Sequence, residues 1–223
     1  MDIFDDPEAV AAYAERPKRQ VPGFADMQRM ALLLLDENAP ADARILVVGA
    51  GGGLELKVFA ENRPGWRFDG VDPAAEMLRL ASATLGNLAS RVALHHGEVD
   101  VAPEGPFDGA TCLLVLHFLT REQRLGLLRE VRRRLKPGAP LVVVQHSFPR
   151  SVESDEVWLS RYAAFAATSD AERAQANKTR AAMAERLPAL SPEEDEAVLK
   201  EAGFGGVSLF YAAFTFRGWV AYA

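Results

Sequence analysis

The stretch Arg44-Ile45-Leu46-Val47-Val48-Gly49-Ala50-Gly51-Gly52-Gly53-Leu54-Glu55 decides the fold. Residues 44–48 form a run without polar alternation, which predicts a strand buried on both faces. The glycines end it in a tight turn, and residues 54 to about 61 continue as a helix. Strand, glycine-rich turn and helix open a nucleotide-binding unit, because glycine lets the backbone pass close to a ligand where a Cβ would clash. Gly49, Gly51 and Gly53 make G-x-G-x-G. A dinucleotide fingerprint needs its third glycine at position 54. Leu54 stands there, so a nicotinamide oxidoreductase is disfavoured.

Working outward, the alternation repeats. Strands are predicted at 66–72, about 91–96, 107–115 and 141–145, with helices at 74–85 and 121–135 between them. Pro73 sits well in a first helical turn, and Asp72 before it reads as a natural cap. Lys136-Pro137-Gly138 stops the second helix. Strands separated by helices predict a parallel sheet with right-handed crossovers. Upstream, 7–16 and 23–38 read as helices around a Pro22-Gly23 break. Downstream, 151–188 is polar, alanine-rich and helical in propensity. Ser191-Pro192-Glu193-Glu194 starts a further helix that ends at Ala202-Gly203-Phe204, and 206–222 hold two aromatic strands around Ala212-Ala213 without a turn signature. One domain is expected over 1–223: a helical cover at 1–38, a ligand-binding core at 44–146, a helical insert at 150–190 and a C-terminal strand pair at 206–222.

Composition narrows the function. The chain has 223 residues, 49% hydrophobic and 25% charged, the balance of a globular domain. No run is apolar enough to span a bilayer, and the acidic start Met1-Asp2-Ile3-Phe4-Asp5-Asp6 lacks a secretory apolar region. A single cysteine, Cys112, excludes an internal disulfide and suits a cytoplasmic setting. It lies in a strand and reads as a small hydrophobe. The net charge of −6 favours a small-molecule partner over nucleic acid. The basic exception is 121–136, which nets +5. Its Leu125, Leu128, Val131 and Leu135 form an apolar stripe, so the arginines are expected to face water, and RNA contact is the lesser reading. An oligomer is compatible with all of this.

Several residues then point to a ligand. Asp72 ends the second strand 19 residues after Gly53, where an acid can accept hydrogen bonds from both hydroxyls of an adenosine ribose. Gly97-Glu98-Val99-Asp100 follows the third strand, and a carboxylate there could accept an adenine amino group. His117 follows the fourth strand and could act as a general base. His146 ends the fifth on the same sheet edge. His95 and His96 alternate across a strand, so only one can face the ligand side. No spacing resembles a metal site, and no catalytic residue is singled out.

As an ordered set, Val47-Val48-Gly49-Ala50-Gly51-Gly52-Gly53, Gly70-Val71-Asp72, Gly97-Glu98, Phe107-Asp108 and Leu135-Lys136-Pro137-Gly138 resemble class I S-adenosylmethionine (SAM)-dependent methyltransferases. The resemblance implies an α/β, Rossmann-like fold: a mostly parallel seven-stranded sheet with an antiparallel C-terminal strand and helices on both faces. It implies SAM as cofactor, bound around Phe24, Gly49, Ala50, Gly51, Gly53, Asp72, Pro73, Met77, Glu98, Val99 and Leu113. Many members carry an acid two residues before the first glycine. Here that residue is Val47, so the cofactor's amino group falls to backbone carbonyls or to another acid such as Glu55.

A narrower resemblance, over nearly the whole chain, is to carboxy-SAM synthase, which draws its carboxylate from prephenate and serves wobble-uridine modification of tRNA. It rests on Phe4-Asp5, Arg19-Gln20-Val21-Pro22-Gly23-Phe24, Leu116-His117-Phe118-Leu119 and Asn177-Lys178-Thr179-Arg180. It implies cofactor contacts from Phe24 and Leu113, where that family has tyrosine and asparagine, and a carboxylate clamp at Arg180. The missing hydroxyl and amide favour the ordinary methyl donor, with an acceptor that is small and, if Arg180 clamps it, acidic. His117, His146 and Arg180 are the expected substrate-side residues.

Overall fold

A computed structural model describes residues 15–167 and 187–223. Its elements run α1 (Glu15–Gln20), α2 (Phe24–Asp36), β1 (Arg44–Val48), α3 (Leu54–Asn62), β2 (Arg67–Asp72), α4 (Ala75–Leu85), β3 (Val92–His96), β4 (Gly109–Leu113), α5 (Arg121–Arg134), β5 (Pro140–His146), α6 (Val152–Ala166), α7 (Pro192–Glu201), β6 (Gly205–Ala213) and β7 (Phe216–Tyr222). The strands form one seven-stranded sheet in the order β3-β2-β1-β4-β5-β7-β6. The first five are mutually parallel, and β7 runs antiparallel between β5 and β6. The expected fold class is the observed one.

Alternation along β1 sorts the two faces. Ile45 and Val47 pack with Met27 and Leu35 of α2 and Leu56 and Phe59 of α3. Leu46 and Val48 pack with Leu128 and Val131 of α5, Val198 and Leu199 of α7, and Trp219. Both faces of the strand are covered by helices, which is why its sequence shows no polar alternation. The strand order reverses between β2-β1 and β4-β5, so a crevice opens at the carboxyl ends of β1 and β4, where open α/β sheets place their ligands.

Several expectations need correction. The fourth strand is shorter than 107–115: Phe107 makes only an isolated bridge to Leu135, and Leu114 leaves the ladder at φ 63°. The helix after β2 begins at Ala75 with Ala74 as its N-cap, so Asp72 is not the cap. The first described helix runs to Gln20, past the expected end at 16. The turn between β6 and β7 is made by Phe214 and Thr215, with Phe214 at φ 49°, so no glycine or asparagine marks it.

The arginines of α5 do not simply face water. Arg124 and Arg134 are fully buried. Arg124 pairs with Asp195 of α7 at 2.6 Å and also donates to Leu119 O and Pro188 O. Arg134 pairs with Glu130 at 2.6 Å. Arg121 and Arg129 reach Glu201, Arg132 donates to Gly203 O, and Arg133 bonds Glu104 and Glu130. All six arginines of α5 are engaged, and they stitch the helix to its neighbours.

Candidate functional site

The glycine turn is built by its backbone. Gly49, Gly51 and Gly53 hold φ of 75°, 42° and 76°, values that disfavour any side chain. Gly49 and Ala50 N–H both donate to Val71 O at 2.9 Å, which pins the turn to the end of β2. Each glycine has its own local reason. A Cβ on Gly49 would fall 2.1 Å from Val115 Cγ2, and one on Gly53 would fall 2.9 Å from the Ala81 Cα of α4. Gly53 therefore serves helix packing, while Gly51 lines a cavity.

Asp72 is the hinge of this arrangement. Its Oδ2 accepts from Gly51 N–H and its Oδ1 from Ala74 N–H, both at 2.9 Å. The carboxylate thus ties the glycine turn to the entrance of α4. Each oxygen has two lone pairs, so the same group can also accept from ribose hydroxyls.

Two cavities meet at Gly49. The larger, about 410 Å³, is walled by Val48, Val71 and Pro73, by Glu98, Val99 and Asp100, and by Val115 and α5. The 97–100 loop, with Glu98 and Asp100, forms one of its walls. The smaller, about 30 Å³, lies between the turn and helices α1 and α2. Its walls include Phe24, Met27, Gln28, Glu55, Leu113 and Leu114. A cavity of that volume holds only a water or two, so an amino-acid moiety enters only if the α1–α2 cover shifts outward. Tyr211 of β6 donates to Pro22 O between those two helices and steadies their turn.

Glu55 is the unusual group here. It projects from the first turn of α3 and is 8% exposed. Burial pushes its carboxyl up to about 8, and a hydrogen bond from Thr111 Oγ1 at 2.7 Å only partly opposes that shift. Gln28 of α2 lines the same cavity and is 4% exposed. The sequence reading missed Gln28, although a polar residue on the buried stripe of Phe24, Met27 and Ala31 is a signal that periodicity could have raised.

The other expected site residues are placed as follows. Phe24 and Leu113 line the small cavity. Met77 is buried with Ala74 and Leu80 under α4 and lines neither cavity. His117 and His146 are buried and also line neither. His146 N–H donates to His117 Nδ1 at 3.3 Å, and His146 Nδ1 meets Thr215 Oγ1 at 2.9 Å. The His146 ring stacks on Phe216 with centroids 4.0 Å apart. Burial holds His117 well below the ordinary histidine range and takes His146 down to about 3, so both stay neutral. Arg180 lies outside the described residues.

Comparison with known proteins agrees with this geometry. A methyltransferase domain family matches residues 46–141, the span from β1 into β5. Carboxy-S-adenosyl-L-methionine synthase of Aeromonas hydrophila is 21% identical, covering 99% of this chain and 90% of its own. That of Methylococcus capsulatus is 26% identical, covering 99% and 94%. Human N-acetylserotonin methyltransferase, solved with SAM, superposes with a TM-score of 0.67 at 15% identity; the match covers 99% of this chain and 57% of the human one. Residues 46–141 thus match a methyltransferase domain family, and over nearly its whole length the chain is similar to carboxy-S-adenosyl-L-methionine synthases at 21–26% identity.

Proposed function

We propose that this chain transfers the methyl group of SAM to a small acceptor, as a single domain whose N-terminal helices cover the cofactor's amino-acid end. The glycine cradle, Asp72 at the end of β2 and the large cavity beside Glu98 and Asp100 suit the adenosine of that cofactor. When bound, SAM supplies an electrophilic methyl carbon, so the protein's part is to hold and align the acceptor and exclude water. That explains why no nucleophile or metal is needed in the reading.

The observation that carries the choice of cofactor is the lining of the small cavity. Its lining includes one acid, Glu55, the apolar Leu113 and Leu114, and no arginine, lysine or histidine among the described residues. Among the described residues, this lining offers no cationic partner to an extra carboxylate. The engaged arginines of α5 support a small acceptor over RNA. The buried thiol of Cys112, pushed up by burial, suits a reducing compartment such as the cytoplasm.

A second reading, carboxy-SAM synthesis, draws on the similarity to those synthases across 99% of the chain. Mass spectrometry of the nucleotide that co-purifies with the protein separates the two. SAM or its demethylated product is expected, and the carboxylated cofactor would reverse the ranking. Asp72→Ala should weaken SAM binding at least ~10-fold, by removing charge-assisted bonds worth roughly 1.5–3 kcal/mol each. Unchanged affinity by calorimetry would sink the assignment of Asp72.

A further inference from the structure

Among the described residues, one half-buried arginine lacks the partners that the others have. Arg44, Arg63 and Arg121 each meet a carboxylate, and Arg91 caps three backbone carbonyls with both its Nη atoms. Arg217 of β7 is half-buried too. Only its Nη1 is used, donating to Phe214 O at 2.7 Å and to Phe216 O at 2.8 Å. Its Nε and Nη2 have no partner among the described residues, and no carboxylate stands against it. Burial pulls its pKa down, and no acid opposes that shift. A partly desolvated cation without a counter-charge costs free energy.

The turn that holds this arginine is strained. Phe214 sits at φ 49°, where a bulky residue is an outlier and glycine or asparagine would fit easily. Its carbonyl is one of the two that fix Arg217 Nη1. Strain of this kind collects at functional sites. Trp158 of α6 lies alongside: the guanidiniums of Arg217 and Arg161 stand over its ring, 5.5 and 4.7 Å from the centroid. The location is the ligand end of the sheet. Phe216 pairs with His146, the last residue of β5, so the turn stands beyond the carboxyl end of that strand. Leu113 of β4 is level with Val144, and Arg217 with Gln145, one residue further on, which sets Arg217 about two strand spacings, roughly 10 Å, from the end of β4.

We propose that Arg217 binds a carboxylate of the methyl acceptor through its Nε–Nη2 edge, with Arg161 adding charge from the same aromatic platform. That edge presents two parallel N–H groups, the fork that a carboxylate matches bidentately. Nη1 is already tied to the turn, so the fork keeps its direction before a ligand arrives and less order is lost on binding. The ligand then supplies the counter-charge that the protein withholds. Neither arginine lines the cavities beside the glycine turn, so this site is separate from the cofactor's. That the carboxylate belongs to a methyl acceptor rests on the methyl-transfer reading; the carboxylate site itself does not.

The test uses the full chain, benzoate and benzamide, which share a ring and differ in charge, and S-adenosylhomocysteine. Trp66 and Trp219 are buried at 1% and 0% exposure, so a ligand-dependent change in tryptophan fluorescence reports Trp158. At constant ionic strength benzoate should give a saturable change and benzamide none. Arg217→Gln should weaken benzoate about tenfold, the loss of a charge-assisted fork. Arg161→Gln should weaken it several-fold, and Arg217→Lys, which keeps the charge without the fork, should fall between wild type and Arg217→Gln. All three variants should bind S-adenosylhomocysteine as the wild type does by calorimetry, which also reports that they are folded. Benzoate and S-adenosylhomocysteine should bind together without competing. An arginine that merely staples the turn would lower the melt of Arg217→Gln and leave benzoate affinity unchanged. That result, equal binding of benzoate and benzamide, or competition with S-adenosylhomocysteine would overturn the proposal while the cofactor assignment stands. If benzoate binds through Arg217 and the wild type binds no S-adenosylhomocysteine, the methyl-transfer reading fails, and with it the assignment of the carboxylate to a methyl acceptor.

Discussion

On the α5–α7 side of the sheet each buried guanidinium has partners; on the α2–α3 side Glu55 and Gln28 line a cavity largely without them. Arg124 is enclosed by Asp195, Leu119 O and Pro188 O. Arg134 is held by Glu130 and by the carbonyls of Asp100 and Ala102. These networks fix one helix against another, with Arg134 Nε and Asp195 Oδ2 the atoms they leave without a partner among the described residues. Glu55 has one donor and Gln28 none among the described residues. Glu55 and Gln28 keep slight exposure, 8% and 4%, and line a cavity, whereas the two arginines are fully buried and line none of the described cavities.

The sharpest way to break the closed side is Arg124→Met. It strands Asp195 as a buried carboxyl, and removing one partner of a buried pair costs about 3–5 kcal/mol. The double change Arg124→Met with Asp195→Leu should recover most of that loss. Denaturant unfolding checks both. A single variant as stable as the wild type would mean that the pair holds nothing.

The glycine turn carries the same contrast within five residues. Gly53→Ala forces a side chain onto the Ala81 backbone at φ 76° and should cost about 1–3 kcal/mol of stability. Gly51→Val should instead abolish cofactor binding while much of the fold survives, because Gly51 lines the cavity. Thermal melts and nucleotide calorimetry on both variants would show whether the two roles separate. If both lose only stability, the turn is a structural corner.

How much of this the sequence discloses depends on the range of the forces involved. The β1 run and the glycine turn are legible because burial on both faces and positive φ each demand a narrow set of residues. Ser191-Pro192-Glu193-Glu194 is legible as a helix start, and the observed capping box bears it out. The burial of Arg124 is not, because its partner Asp195 lies 71 residues away and any surface helix can be arginine-rich. Gln28 sits unnoticed in an apolar stripe because its meaning comes from the wall opposite. His117 and His146 fall at strand ends, as read, but which way their rings turn is decided by Phe216 and Thr215, which the chain supplies only at its far end.

The open side can be probed through pH. A carboxyl held near 8 in the fold and near 4.5 when unfolded binds more protons in the native state between those values. Stability therefore falls as pH rises from about 4.5 to 8. Glu55→Gln should remove that slope and, with part of the penalty relieved by water in the cavity, gain about 1 kcal/mol at pH 8, or 2–4 °C. His146, held near 3, acts with the opposite sign: the unfolded chain takes up its proton below about 6.5, so acid destabilises the fold. Melting curves across pH 5–8.5 should thus show a net fall only between about pH 6.5 and 8, because below 6.5 the depressed His146 and His117 oppose the Glu55 contribution. A Glu55→Gln melt with unchanged slope would mean that Glu55 is already ionised.

The smallest effect is expected at Arg133. Its side chain is 44% exposed on the outer face of α5 and pairs with Glu104 and Glu130. Solvent and salt screen such pairs, and long side chains lose entropy in forming them. Arg133→Ala should therefore shift the melt by no more than replicate scatter, and by nothing at high salt. The variant is still informative, because Glu130 also walls the large cavity. Arg134, fully buried, keeps Glu130 in place at 2.6 Å without help from Arg133. Nucleotide affinity should consequently stay at the wild-type value. A several-fold loss would show that the closed charge layer of α5 positions a cavity wall, and that scaffold and site meet at Glu130.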